Sequence, residues 1–230
     1  SAMAETANAW RLAFFLGVVL LLAFAEWRVP RRPRTRLTLK RWLHNVSLGV
    51  VNSILMRLFV PFSGTAFAVV IHEHGWGLFA QVQLPGWLSI ILFVLVFDFV
   101  IYCQHRVFHS LRPLWVFHRV HHTDLEYDLT TGNRFHPVSI IVSMVIKLAL
   151  VAVCGALPVS ILIAEILLNV TSMFNHSNIR LGARFDRALR LIIVTPDMHR
   201  VHHSVLEAEH GCNFGFNFPW WDRLLGTYLA

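Results

Sequence analysis

Long apolar runs separated by short polar segments dominate this chain, at about 10–27, 45–71, 86–104 and 138–175. An apolar helix needs about 20 residues to cross a bilayer, so each of the first three runs suits one crossing. The last is too long for one. Gly155, Ala156, Leu157 and Pro158 interrupt it, which predicts a helical hairpin of 138–154 and 157–175. The chain therefore reads as all-α and polytopic, a single membrane-embedded domain over 1–230 with an N-terminal region of 1–85 and a core of 86–230. Glu5 and Arg11 lead the first run and a basic cluster follows it, so a retained helix is expected there rather than a signal peptide.

Composition agrees with a membrane domain: 56% of residues are hydrophobic and only 14% charged. The net charge of +7 could suggest nucleic acid, but the positive residues gather at membrane flanks, where an anionic lipid surface accounts for them. Cys103, Cys154 and Cys212 have no CxxC spacing and are expected as free thiols. Seven basic residues and no acidic one lie between Arg28 and Arg41, whereas 72–86 and 155–158 contain no lysine or arginine. The positive-inside rule then places 28–41 in the cytoplasm. Counting crossings from there brings 105–137 and 176–230 to the same side, with His72 and His74 on the other.

Three histidine clusters fall in those cytoplasmic segments: HRVFH at 105–109, HRVHH at 118–122 and HRVHH at 199–203. On a helix, His105 and His109 stand on one face, as do His118, His121 and His122, and likewise His199, His202 and His203. Eight imidazoles in this pattern, without cysteine, suit iron, zinc, copper or nickel and argue against a structural zinc knot. Two metals sharing eight or nine nitrogens would each hold about four or five and keep a position open for a reactant. His176, at the end of an apolar run, is the natural ninth ligand; His136 is a further candidate, as a ligand or as a donor that orients one. His44, His72, His74 and His210 are expected to be ordinary histidines.

Asp98 and Tyr102 lie on the helix face that leads to His105 and His109, and are candidates for a catalytic role behind the ligands. Asp98 sits about 10 Å below His105, too deep for ligation, so proton handling competes with simple capping of a neighbouring helix. Lys147 and Glu165 flank the hairpin tip symmetrically and are expected to form an ion pair within the bilayer. Arg57 has no nameable partner. Arg106, Arg119 and Arg200 are candidates to pair with Asp124, Asp197 or Asp222.

In DFVIYCQHRVFH, HRVHHTDLEYDLTTGNRFHP, NHSN, TPDMHRVHHS and NFGFNFPWWDRLLGTY, spread over roughly 90–230, the chain resembles the fatty acid hydroxylase and sterol desaturase superfamily of non-haem di-iron membrane enzymes. The resemblance implies a four-helix membrane core, here the second to fifth crossings with 10–27 additional, under a cytosolic helical cap that holds the metals. It implies two iron ions on the eight clustered histidines, with His176 matching the family's isolated histidine. It also implies O2 as co-substrate and a C–H bond of a membrane lipid (fatty acyl, sterol or related) as target. Zinc could occupy the same nitrogens in a purified sample. The matched segments include no fused cytochrome b5, so electrons would come from a separate donor of the cytochrome b5, ferredoxin or reductase type. The competing readings are a membrane zinc hydrolase, which would need fewer histidines and a carboxylate base, and a non-catalytic metal-binding, transport or haem protein.

Overall fold

The computed structural model describes residues 2–34, 38–60 and 63–230. Those residues form helices and no strands, joined by one isolated antiparallel bridge between Pro30 and Ile179. At the N-terminal end α1 (Ala2–Arg28) packs along the helix Pro158–Asn175. Among the described residues, four segments are long and apolar enough to cross a membrane: Thr38–Glu73, Gly86–Ser110, Pro137–Cys154 and Pro158–Asn175.

The first of these differs from the single helix that the run 45–71 suggests. It is divided into α2 (Thr38–Phe59) and α3 (Gly64–Glu73). A fresh helix start marks α3, because the Ser63 hydroxyl accepts the Ala66 N–H at 3.1 Å. Polar side chains of α2 bond the segment 124–135. Arg41, Trp42 and Asn45 bond Asp124, Asp128 and Thr130, and Asn52 donates to the Phe135 carbonyl.

After the short α4 (Leu78–Val82) come α5 (Gly86–Ser110) and α6 (Arg112–His122), then a 3-10 turn (Leu129–Asn133). The hairpin follows as α7 (Pro137–Cys154) and α8 (Pro158–Asn175). Gly155, at φ 65°, turns the chain between them in the left-handed region that glycine tolerates. The remaining helices are short: α9 (Ala183–Leu189), α10 (Pro196–His202), α11 (Glu207–His210) and α12 (Trp220–Leu224).

Apolar side chains of α3, α5, α7 and α8 close one core around Phe93, Phe97, Val151 and Ile161. A second core, around Leu22, Leu129, Met173 and Ile179, seats α1 against α8 and the 3-10 turn. Glu26 completes that junction: it is fully buried and accepts the backbone N–H groups of Leu129 and Asn178, each at 2.8 Å. Within the hairpin, Lys147 Nζ stands 2.5 Å from Glu165 Oε1, the ion pair expected from their symmetric placement. Arg57 is exposed on α2.

The two ends of the bundle are chemically distinct. Gly77 meets Gly155 so closely that neither position has room for a Cβ, which sets the end of α3, with His72 and His74, near the hairpin tip. His105, His109 and His176 are at the opposite ends of α5 and α8. Along α5, the separation is about 1.5 Å per residue over some 20 residues, roughly 30 Å.

Candidate metal centre

Four helices end at one place. His105 and His109 occupy the last turns of α5; His118, His121 and His122 run to the end of α6; His176 is the C-cap of α8; and His199, His202 and His203 finish α10. Each helix C-terminus carries a partial negative charge, so their convergence favours a cation independently of the side chains.

The rings sort into two groups. His105, His109, His118, His122 and His202 form one; His121, His176, His199 and His203 form the other. Within each group the candidate ligand atoms lie within 4.8 Å of one another. The segments 105–122 and 199–203, distant in sequence, therefore meet directly: His105 Nε2 is 3.0 Å from His202 Nε2. His176 Nε2 is 3.0 Å from His121 Nε2 and 3.2 Å from His203 Nε2, and His109 Nε2 is 3.1 Å from His122 Nε2. Two nitrogens held about 2.1 Å from one metal at a right angle would stand about 3.0 Å apart.

Hydrogen bonding says which nitrogen is free to bind. His105 Nδ1 lies 2.8 Å from the Phe214 carbonyl, His202 Nδ1 2.7 Å from that of Cys212, and His176 Nδ1 2.6 Å from that of Ser172. A carbonyl only accepts, so each Nδ1 carries the proton and each Nε2 presents a lone pair. His105 and His202 thus aim lone pairs at each other across 3.0 Å, which repel unless a cation lies between them. Both nitrogens of His118 and of His199, and Nδ1 of His109 and His121, are buried with no hydrogen-bond partner. A metal would take up one nitrogen of each ring, since each neutral imidazole offers a single lone pair, and the residues present fit one.

Burial also keeps the rings neutral. It is the leading cause that holds His118, His121, His122, His199, His202 and His203 well below the ordinary imidazole value, with neighbouring imidazoles adding to it. His176 is lowered by burial to about 3. Neutral imidazole is the form that ligates metals.

His136 joins neither group. Its Nδ1 accepts the Val138 N–H at 3.1 Å, making it the N-cap of α7, and its ring rests on Phe117. Asp98 is buried and accepts from Asn217 N, Phe218 N and Trp221 Nε1, which fastens the segment leading into α12 to the membrane bundle. Tyr102 reaches Thr227 Oγ1 at 2.8 Å, and that hydroxyl bonds Asp222. Asp222 in turn accepts the N–H groups of Phe214 and Gly215, so it supports the carbonyl that orients His105. Both candidates therefore act on the C-terminal segment rather than facing the nitrogens. Arg200 approaches Asp197 at 3.5 Å, whereas Asp124 pairs with Arg41 and Asp222 is taken up by backbone and Thr227.

The Phe135 ring stacks on His121 at 4.3 Å, and Tyr127, which nothing in the sequence pattern singled out, packs against His176 and His203. Nor did that pattern mark the three orienting carbonyls, which carry no side-chain signal. His210 stacks on Trp115, 5.9 Å from the His109 ring, but belongs to neither group.

Residues 90–227 match the fatty acid hydroxylase family. This chain belongs to that family. Among its relatives, ornithine lipid hydroxylase OlsE of Rhizobium tropici is 31% identical over 162 residues, 70% of this chain and 46% of that protein. Alkylglycerol monooxygenase of Homo sapiens is 27% identical over 225 residues, 94% of this chain and 46% of the relative. The Delta(7)-sterol-C5(6)-desaturase of Nicotiana tabacum is 27% identical over 167 residues, 67% and 56% of the two chains. The chain thus spans about half the length of these curated relatives. No solved structure matches it significantly. The family match covers all nine clustered histidines.

Proposed function

We propose that this protein is an O2-dependent di-iron lipid oxidase of the membrane, a hydroxylase or desaturase acting on a C–H bond of a fatty acyl, sterol or related lipid. The observation that carries the reading is the pair of opposed Nε2 lone pairs on His105 and His202, set among nine neutral, converging imidazoles. His105, His109, His118, His122 and His202 are the proposed ligands of one iron; His121, His176, His199 and His203 are those of the other. Two irons bound there would supply the O2 chemistry needed to break an unactivated C–H bond.

The chain contributes the conditions for that chemistry. Phe214, Cys212 and Ser172 carbonyls fix the imidazole tautomers, while Phe135, Tyr127 and Phe216 shield the rings from water. The site lies where α5 and α8 leave the apolar layer, so a lipid can reach it without crossing solvent. We place this end of the bundle on the cytoplasmic face, from the basic run at 28–41, and assign electron delivery to a separate protein. The relatives' names include hydroxylase, monooxygenase and desaturase, so the proposal covers both outcomes of a first hydrogen abstraction.

A zinc hydrolase is less well supported, because both groups consist of histidine alone among the described residues and supply no carboxylate base. Iron reconstitution decides between them. The expected outcome is close to two irons per chain, with O2 uptake that requires both reductant and lipid. A zinc form that hydrolyses lipid, beside an iron form inert to reductant, would overturn the proposal.

A further inference from the structure

A bay of about 810 Å³ opens beside the histidine groups, with His122 and His203 in its wall and Arg31, Arg32, Arg190 and Arg200 around it. The carboxylates that share it, Asp124, Asp197 and Glu209, do not neutralise these arginines evenly. Asp124 is held by Arg41 at 2.7 Å and Asp197 by Arg31 at 3.1 Å, while Arg190 pairs with Asp186 at 2.5 Å. Arg200 is left short of acceptors. Its side chain is only 12% exposed; Nη2 donates to the Ser177 carbonyl, and Nε stands 3.5 Å from the Asp197 carboxylate that already serves Arg31. Its Nη1 is buried without any hydrogen-bond partner. A guanidinium N–H in that position needs an acceptor that the protein does not supply.

The depth of the bay says what could supply it. Arg31 N donates to the Asn178 carbonyl and Arg32 N to its side-chain oxygen, so the segment after α1 is tied to the residues just beyond the end of α8. The bay therefore sits within a few residues of the end of α8, a helix of membrane-crossing length, which puts it at the level of lipid headgroups. We propose that it is an anion site for the phosphate or carboxylate of the lipid substrate, held by Arg32 and Arg200, with the acyl chain remaining in the membrane. A headgroup anchored here presents the carbons nearest to it to the His122–His203 side of the cluster, so the C–H bond attacked lies near the head of the lipid rather than its tail. What the bound lipid undergoes rests on the oxidase reading; the binding does not.

Titration calorimetry of the purified protein in detergent, with and without iron, tests this with dihexanoyl phosphatidic acid, neutral dihexanoylglycerol and inorganic phosphate as probes. The phosphatidate is expected to bind at least about tenfold more tightly than the neutral lipid, and to weaken with added salt. Arg200→Gln and Arg32→Gln should each weaken it by about tenfold, Arg200→Lys by less, and Arg57→Gln should leave it unchanged. Arg32 is exposed, so its variant keeps the test open if Arg200→Gln does not fold. Equal affinity for the charged and neutral lipids, or wild-type affinity in Arg32→Gln and a folded Arg200→Gln, would overturn the site. Inorganic phosphate binding as tightly as the phosphatidate would assign the bay to a free anion and overturn the headgroup claim. So would an acidic ferredoxin whose binding needs both arginines while phosphatidate binding does not. A phosphatidate preference without reductant-dependent O2 uptake by the iron form sinks the oxidase reading and leaves the bay; the converse sinks only the bay.

Discussion

Removing either ring of the His105–His202 pair should do more than delete one ligand, because the partner is left buried with its lone pair facing a void. His202→Ala is expected to lower bound metal from two towards one per chain, and His176→Ala to do the same through the other group; elemental analysis of purified protein reads both. A metal content unchanged in either variant would contradict its assignment. Supporting residues should behave differently. Asp98→Ala strands two backbone N–H groups and an indole N–H in the interior, at about 1–3 kcal/mol for each unsatisfied donor. Its expected signature is a loss of several kcal/mol in unfolding stability, with Asp98→Asn milder because one acceptor oxygen remains. His136→Asn should be nearly silent in metal content, since an N-cap needs only an acceptor for the Val138 N–H.

At the scale of helices, the hairpin α7–α8 owes its register to a turn and a charge pair. The pair is side-chain buried, at 16% and 10% exposure, so its partners are costly to separate and cheap to replace together. Lys147→Met alone is expected to destabilise by about 3–5 kcal/mol in reversible unfolding, whereas Lys147→Met with Glu165→Leu should recover most of it. If the double variant is no more stable than the single, the two charges do not depend on each other. Hydrogen bonds hold α2 and α3 at separate places. Asn45 and Asn52 tie α2 to the segment 124–135, and the Ser63 hydroxyl caps the start of α3.

For the whole molecule, the histidine centre couples folding to protons. Above pH 6.5 the imidazoles are neutral in both folded and unfolded chains, so their titration has no effect on stability there. As pH falls below that value the unfolded chain takes up protons that the buried rings refuse. Stability of the metal-free protein should therefore decline progressively from pH 6.5 towards about 3, the value for His176. Thermal unfolding of the metal-free form across that range should show a falling midpoint, and a flat profile would mean that the rings are not held neutral by burial. The metal-loaded form should lose its ions over the same acid range, since protons compete for the same nitrogens.

Spacing alone exposed much of this architecture. HxxxH and HxxHH put their rings on shared helix faces because 3.6 residues make a turn, and the apolar runs had to become membrane-length helices because lipid offers the backbone no other partner. Lys147 and Glu165 were legible for the same reason, being equidistant from a visible turn. Other features depended on chain segments that periodicity does not relate. His136 shares its residue type with the ligands yet caps a helix, and Asp98 lies on the ligand face yet fastens residues 217–221. The division of nine histidines into groups of five and four, and the carbonyls that choose their tautomers, arise only when α5, α6, α8 and α10 end together. Sequence determined which groups could bind a metal, since that is local chemistry; the tertiary fold decided which of them meet, because packing brings together atoms more than 90 residues apart, as it does His105 and His202.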